Sequence, residues 1–284
     1  MIEIIKSGLY DSIQDLGRMG VRQFGVPVSG VMDVYCAKLA NALLDNDEES
    51  ALLEFNWQGP QLKFHLDTYI SISGANCNPS LNVKPIKNNQ RIRIRPGDVL
   101  TFGKCDMGFR GYIAVAGGFQ SDKVMGSRSM YKHVTDKPVL LKGDMLQAKP
   151  CLNLNIVSRV SIKVPKSHFR SKYLDVMPGI EFGKLSKAVQ KMLFQQKFTV
   201  ANASNRMAYQ CNETVENDLQ SIITTLVLPG TVQLTPSGEL MILMRDCQTT
   251  GGYPRIFQLS ESSINRLAQK KTGDEFRFKM VNKF

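Results

Sequence analysis

Residues 245–256 read RDCQTTGGYPRI, crowding hydroxyls, an amide, a carboxylate, a phenol and paired glycines between apolar, extended stretches. Thr249 and Thr250 carry the hydroxyls, Gly251 and Gly252 can expose backbone N–H groups, and Tyr253 adds a phenol with an apolar face. Such a turn can cradle phosphate or carboxylate oxygens. Beside it, Asp246 can accept a proton or orient a reactant, and Gln248 can fix an amide by donating and accepting together. A plain turn between two strands is the alternative. For Cys247, adjacency to Asp246 confers no thiolate character, and a buried structural thiol is the simpler reading.

A second set of polar groups lies upstream in QDLGRMGVRQFGVPVSGVMD, residues 14–33. Gly17 and Gly30 punctuate its apolar pattern, while Asp15, Arg18 and Ser29 offer directional contacts. Asp15 and Arg18 can brace one another, or the loop can present Arg18 or Arg22 to an anion. Arg110 in GFRGYIAVAGGF and Arg128 in GSRSMY sit beside small residues. Each can grip a carboxylate or phosphate with two parallel hydrogen bonds, or hold an acidic loop internally.

The elements that must position these groups are mostly strands. Alternation in RIRI at 91–94 puts isoleucines on one face and arginines on the other, and YISISG, VLTFG, RGYIAVAGG, TVQL, ELMIL, RIFQLS and DEFRFKMV read alike. Short helices are expected at DVYCAKLANALL with Asp33 as cap, at SKAVQKMLFQQ with Ser186 as cap, and at SSINRLAQK. Helices this few and short do not make regular βαβ crossovers. Basic, proline and glycine punctuation near 160–180 marks a boundary, giving β-rich domains over 1–165 and 166–284, with KVPKSHFRSKY at 163–173 as a solvated linker or partner-facing edge. Glu54 stands alone among apolar neighbours, so it is edge-exposed or held by a positive partner such as an arginine.

Several function classes lose support. Neither GxGxxG nor GxxxxGK[ST] occurs, no Ser/His/Asp order emerges, and the six cysteines and three histidines show no metal-ligand spacing. Polarisation with assisted attack by water suits the residue set better than a covalent intermediate. The cysteines read as reduced and structural. No uninterrupted apolar run approaches the roughly 18 residues of a membrane span, and no signal peptide is visible, so the expected setting is the cytoplasm. A formal net charge of +11 favours an anionic substrate or acidic partner, but no nucleic-acid module accompanies it.

In order along nearly the whole chain, QDLGRMGVRQFGVPVSGVMD, SISGA, FRGYIAVAGGF, GSRSMY, SNRMAYQC and PGTVQLTPSGELMILMRDCQTTGGYPRI resemble the allophanate hydrolase subunit 2-like, or biotin-dependent carboxyltransferase-like, family. Its members include the C subunit of bacterial 5-oxoprolinase and the antagonist of a sporulation kinase inhibitor. The resemblance implies two cyclophilin-like β-barrel domains with short peripheral helices. It also implies an allophanate hydrolase subunit 1-like partner and, in the 5-oxoprolinase branch, a LamB/YcsF-like subunit. That assembly uses ATP with magnesium to open 5-oxo-L-proline to L-glutamate. Within the resemblance Arg206 joins Arg18, Arg110 and Arg128 as candidates for the charges of a small anionic substrate and phosphate. Thr249, Thr250, Gly251, Gly252 and Tyr253 form the polar turn, and Asp246 or Gln248 orients reactants. Asp15, Gly17, Ser29, Gly30 and Asp33 shape the loops. Two other roles are compatible with the family: a noncatalytic regulator of a kinase-inhibitor-like partner, and a carboxyltransferase component of a urea-type carboxylase. The chain has no biotin-attachment context such as AMKM, so a carboxylase role requires a separate carrier. Ala208 stands where the family's SxRMGY motif has glycine, and KHVTDKPVLL follows Tyr131 in place of a glycine-rich passage.

Overall fold

A computed structural model describes residues 1–149 and 162–281; Cys151 lies outside them. The fold is mainly β with several sheets and short helices, in two compact units. The first comprises Met1–Arg18 and Ser29–Lys166, the second Met19–Val28 and Ser167–Phe284. No helix among the described residues is long and apolar enough to cross a membrane.

The first unit holds a six-stranded and a five-stranded sheet. In the five-stranded sheet, Asp11–Gln14, Leu52–Asn56, Met107–Val115, Thr68–Asn76 and Arg91–Ile94 lie side by side, all antiparallel. Strand alternation sends Leu53, Phe55, Ile70, Ile72, Ile92, Ile94, Ile113 and Val115 to one face, where they share a core with Ile2, Ile4, Leu62, Phe64 and Leu100 of the other sheet. The opposite face carries a polar row, because Ser12 pairs with Glu54, Glu54 with Tyr112, and Tyr112 with Ser73. Helix Val34–Ala42 packs over this face, and the Ser71 and Ser73 hydroxyls donate to its Ala40 and Cys36 carbonyls. Asp33 caps it as expected, accepting from the Cys36 N–H at 3.1 Å.

In the second unit a seven-stranded sheet runs in the order Phe198–Thr199, Glu275–Met280, Tyr173–Pro178, Arg255–Leu259, Thr231–Leu234, Glu239–Leu243 and Ala208–Thr214. A bridge between Val200 and Cys211 joins its two ends, so the sheet is nearly closed into a barrel. Phe198, Phe257, Phe276 and Phe278 fill it, with neighbouring ring centroids 5.1–6.0 Å apart. Lys187–Gln195 and Glu261–Ala268 form helices capped by Ser186 and Ser260, and Leu193, Ile264 and Leu267 are buried beneath them.

Three expectations need amendment. A barrel is evident in the second unit, whereas the strands of the first fall into separate sheets. Residues 163–173 are more than a linker, since a short helix, Lys166–Arg170, begins directly after Pro165 and buries Phe169. Finally, Cys77 and Cys105 are joined in a disulfide, while among the described residues Cys36, Cys211 and Cys247 form no disulfide. Their 28-residue separation carries no local motif, so only the sheet register brings them together.

Candidate functional site

Asp15 organises the polar loops of the first unit. Its Oδ1 accepts from the Gly17 N–H at 2.8 Å, the Ser127 hydroxyl at 2.6 Å and the Ser129 hydroxyl at 2.7 Å. Its Oδ2 accepts from the Arg128 N–H at 2.6 Å, and its carbonyl from the Val31 N–H at 2.9 Å. One carboxylate therefore ties together the segments around residues 15–17 and 127–129, and its backbone adds the segment at 31. Arg18, fully buried, donates to the Ser129 carbonyl. The Arg128 side chain is half-buried and reaches Gln120 Oε1 at 3.4 Å. Ser29 and Gly30 adopt positive φ of 57° and 89°. A Cβ on Gly30 would stand 2.9 Å from the Gly17 nitrogen, so the close approach of these two loops requires glycine there.

The polar row under the first helix is continuous with these loops. Met32 N–H donates to Glu54 Oε2 at 2.8 Å, and Arg110 Nε lies 3.8 Å from Glu54 Oε1, both side chains being buried. Arg110 also lies over the Phe109 ring at 5.1 Å. Glu54 thus meets the arginine partner that its apolar surroundings demand. The Asp33 N–H donates to the Tyr112 hydroxyl at 2.8 Å. Burial, then the Glu54 and Asp33 carboxylates, push the Tyr112 phenol well above its ordinary range.

In the second unit, Arg206 and Asp246 form a buried two-armed ion pair, with Nε to Oδ2 at 2.7 Å and Nη2 to Oδ1 at 3.2 Å. The Asp246 N–H returns to the Arg206 carbonyl at 3.0 Å. Both carboxylate oxygens of Asp246 are therefore committed to one guanidinium. Four residues on, Thr250–Gly251 pairs with Thr225–Leu226 as a small separate ribbon. Arg22 donates to the Val227 carbonyl and to the Thr249 carbonyl, the latter at 3.3 Å. The Gly252 carbonyl accepts from the Ile222 N–H at 2.9 Å, and the Tyr253 carbonyl from Gln233 Nε2 at 3.3 Å. Gln248 and Thr249 are half-buried, while Thr250 and Tyr253 are exposed. RDCQTTGGYPRI is thus both a connection between strands and an accessible polar turn.

Cys247 is buried, and burial first, with Asp246 adding to it against the opposing pull of Arg22, raises its thiol to about 11. At neutral pH roughly one thiol in ten thousand is then ionised. Iodoacetamide at pH 7 is expected to leave Cys247 unlabelled in the folded chain and label it after denaturation, with peptide mass spectrometry as the readout; rapid labelling of the native chain would restore the nucleophile reading.

The candidate residues thus form a cluster in each unit. Asp15, Gly17, Arg18, Ser29, Gly30, Asp33, Arg110 and Arg128 belong to the first; Arg206, Asp246, Gln248, Thr249, Thr250, Gly251, Gly252 and Tyr253 to the second. Sequence reasoning misses Ser127 and Ser129, which face Asp15 from more than a hundred residues away, and Gln233 under the turn. GSRSMY draws attention by its arginine, yet its two serines hold the carboxylate. A polar residue inside TVQL is the available signal for Gln233.

The chain is thus mainly β, with buried arginines in each unit and a glycine-paired polar turn in the second. A family model described as carboxyltransferase domain, subdomain A and B, matches residues 24–280, and the chain belongs to that family. It is 31% identical to the 5-oxoprolinase C subunit of Escherichia coli K12, over 98% of this chain and 90% of that protein. Its fold matches the crystal structure of the urea amidolyase of K. lactis with a TM-score of 0.88 at 26% identity, over 99% of this chain and 19% of that one. The structure of TTHA0988 matches with a TM-score of 0.86 at 26% identity, over 98% of this chain. The chain spans 55% of the length of that protein.

Proposed function

We propose that this chain is the C subunit of an ATP-dependent 5-oxoprolinase. The observation that carries the reading is the end-to-end match, 98% of this chain against 90% of the E. coli protein. The urea amidolyase, by contrast, contains a comparable fold as 19% of a longer chain. The partners in this reading are an allophanate hydrolase subunit 1-like protein and a LamB/YcsF-like subunit, and the first unit is a further, more open cyclophilin-like barrel.

The chemistry needed is ring opening of a lactam. Phosphoryl transfer from ATP to the lactam oxygen activates the carbonyl carbon; water adds there, the C–N bond breaks with its nitrogen taking up a proton to leave a glutamyl phosphate, and a second water releases inorganic phosphate as glutamate forms. ATP and magnesium are assigned to the assembly, because the sequence holds no phosphate loop of the GxxxxGK[ST] type. Within the second unit, Thr249, Thr250, Gly251 and Gly252 present hydroxyl and backbone donors to an anionic oxygen, and Tyr253 covers it. Gln248 orients a reacting amide. Asp246 acts through Arg206, whose fork it holds in one plane. Within the first unit, Arg18 and Arg128 supply positive charge on loops that Asp15 fixes, and Arg110 supplies it from the strand beside Glu54.

The test is reconstitution with both partners, 5-oxoproline and ATP-magnesium, measuring glutamate and ADP. Arg128→Gln leaves the backbone N–H bond to Asp15 in place. It is expected to lower kcat/KM by roughly tenfold or more, the loss of one charge-assisted contact, without moving the melting temperature. A folded, complete assembly yielding neither product defeats the reading. The match to the urea amidolyase supports a second one, carboxyl transfer from a carrier supplied by another chain. Activity that depends on an avidin-sensitive carrier would select it.

A further inference from the structure

Gln233 lies within the strand Thr231–Leu234, between Val232 and Leu234, and none of its surface is exposed. An amide in such a place is costly unless both of its polar ends are met. Here only one is. Nε2 donates to the Tyr253 carbonyl at 3.3 Å, while Oε1 is buried with no hydrogen-bond partner among the described residues. An apolar side chain of the same length would remove that penalty, so packing alone does not account for a glutamine.

The same amide touches the turn a second time. A Cβ on Gly251 would stand 2.5 Å from Gln233 Nε2 and 3.3 Å from Val227 Cγ1. Gly251 is not in the left-handed region, so its backbone would accept any residue. What excludes a side chain there is contact with the buried amide. Gln233 therefore meets Gly251 by close packing and Tyr253 by a hydrogen bond, while Thr225 pairs with Gly251 from the neighbouring strand.

We infer that Gln233 is the positioning residue of the Thr249–Tyr253 turn, fixing the backbone of Gly251 and Gly252 from inside the barrel wall. The inference rests on the proposed role of that turn in binding an anion, and adds the residue that sets its geometry. The signature is opposite movement of stability and function, because the group removed is a buried, incompletely bonded amide that is useful to the turn.

Gln233→Met is the first variant. It is expected to melt at the same temperature as the natural chain or higher. Amide hydrogen exchange across Thr250–Tyr253 should rise about tenfold, and in the reconstituted assembly kcat/KM for 5-oxoproline should fall at least tenfold, mostly through KM. Gly251→Ala should loosen the same amides at a cost in stability, and adding Gln233→Ala should restore stability but not the exchange protection. A destabilised Gln233→Met with unchanged exchange in the turn overturns the inference, since Gln233 would then be a core residue only. A loosened turn with full activity overturns it as well. If the natural assembly is inactive while Gln233→Met loosens the turn, the enzymatic reading fails and the control of the turn by Gln233 stands.

Discussion

Asp15→Ala is expected to destabilise the first unit by about 3–5 kcal/mol, the range for breaking a buried, charge-assisted network. The substitution leaves the Ser127 and Ser129 hydroxyls and the Gly17 and Arg128 N–H groups without the acceptor they share. Neither hydroxyl is placed to recover water cheaply, because Ser127 and Ser129 are fully buried. Trp57, the single tryptophan, packs against the core of the first unit, so its fluorescence in urea reports that unit without a contribution from the other. Ser127→Ala and Ser129→Ala should each cost about 1 kcal/mol and combine non-additively, since both bond one oxygen. Asp15→Asn should fall between, as its amide places N–H groups against donors where a carboxylate oxygen now accepts. An Asp15→Ala midpoint equivalent to within about 0.5 kcal/mol of the natural chain would show that the loops hold by other means and that Asp15 does not organise the cluster.

That network marks the limit of what the sequence exposes. Local signals were readable: Asp33 and Ser186 start helices because each offers a side-chain oxygen to an N–H of the first turn. The alternation of RIRI matches Ile92 and Ile94 in the core, with Arg93 exposed on the opposite face and Arg91 donating there to the Leu43 carbonyl. The lone Glu54 implied either an exposed edge or a positive partner, and it is buried with Arg110 beside it. Contacts formed by register were not readable. Ser12, Glu54, Tyr112 and Ser73 align only because four strands settle in one particular pairing. The Cys77–Cys105 link depends on pairing as well. The turn at 249–253 was legible as a polar lip from composition. Its support by Gln233 was not, because a glutamine inside TVQL could as well have faced solvent.

Asp11 should make the first unit lose stability as pH rises from about 4 to about 7, the reverse of ordinary acid denaturation. The residue is buried in the strand Asp11–Gln14; burial raises its carboxyl from 3.8 to about 7, against the lowering effect of the Gly8 N–H bonded to Oδ2. Its other oxygen, Oδ1, is buried without a hydrogen-bond partner among the described residues. Between those values the unfolded chain has released the proton and the folded chain keeps it, so the folded state binds more protons and each step up in pH favours unfolding. The whole shift of about three pH units corresponds to about 4 kcal/mol, absent below pH 4 and complete above pH 7. The carboxyls of Asp144 and Glu181 act in a different window. Burial alone would raise both, but hydrogen bonds and charge from Lys137 and from Arg255 outweigh it and lower them, so their stabilisation is lost only as pH falls below the ordinary carboxylate range. Asp11→Asn separates the two effects: the asparagine keeps an oxygen for the Gly8 N–H and carries no charge at any pH. Urea midpoints from Trp57 fluorescence should be nearly equal for the two chains at pH 4 and diverge steadily to pH 8, with the variant the more stable. Parallel curves across that interval would mean that the Asp11 carboxylate is solvated in the folded chain and that its burial carries no electrostatic penalty.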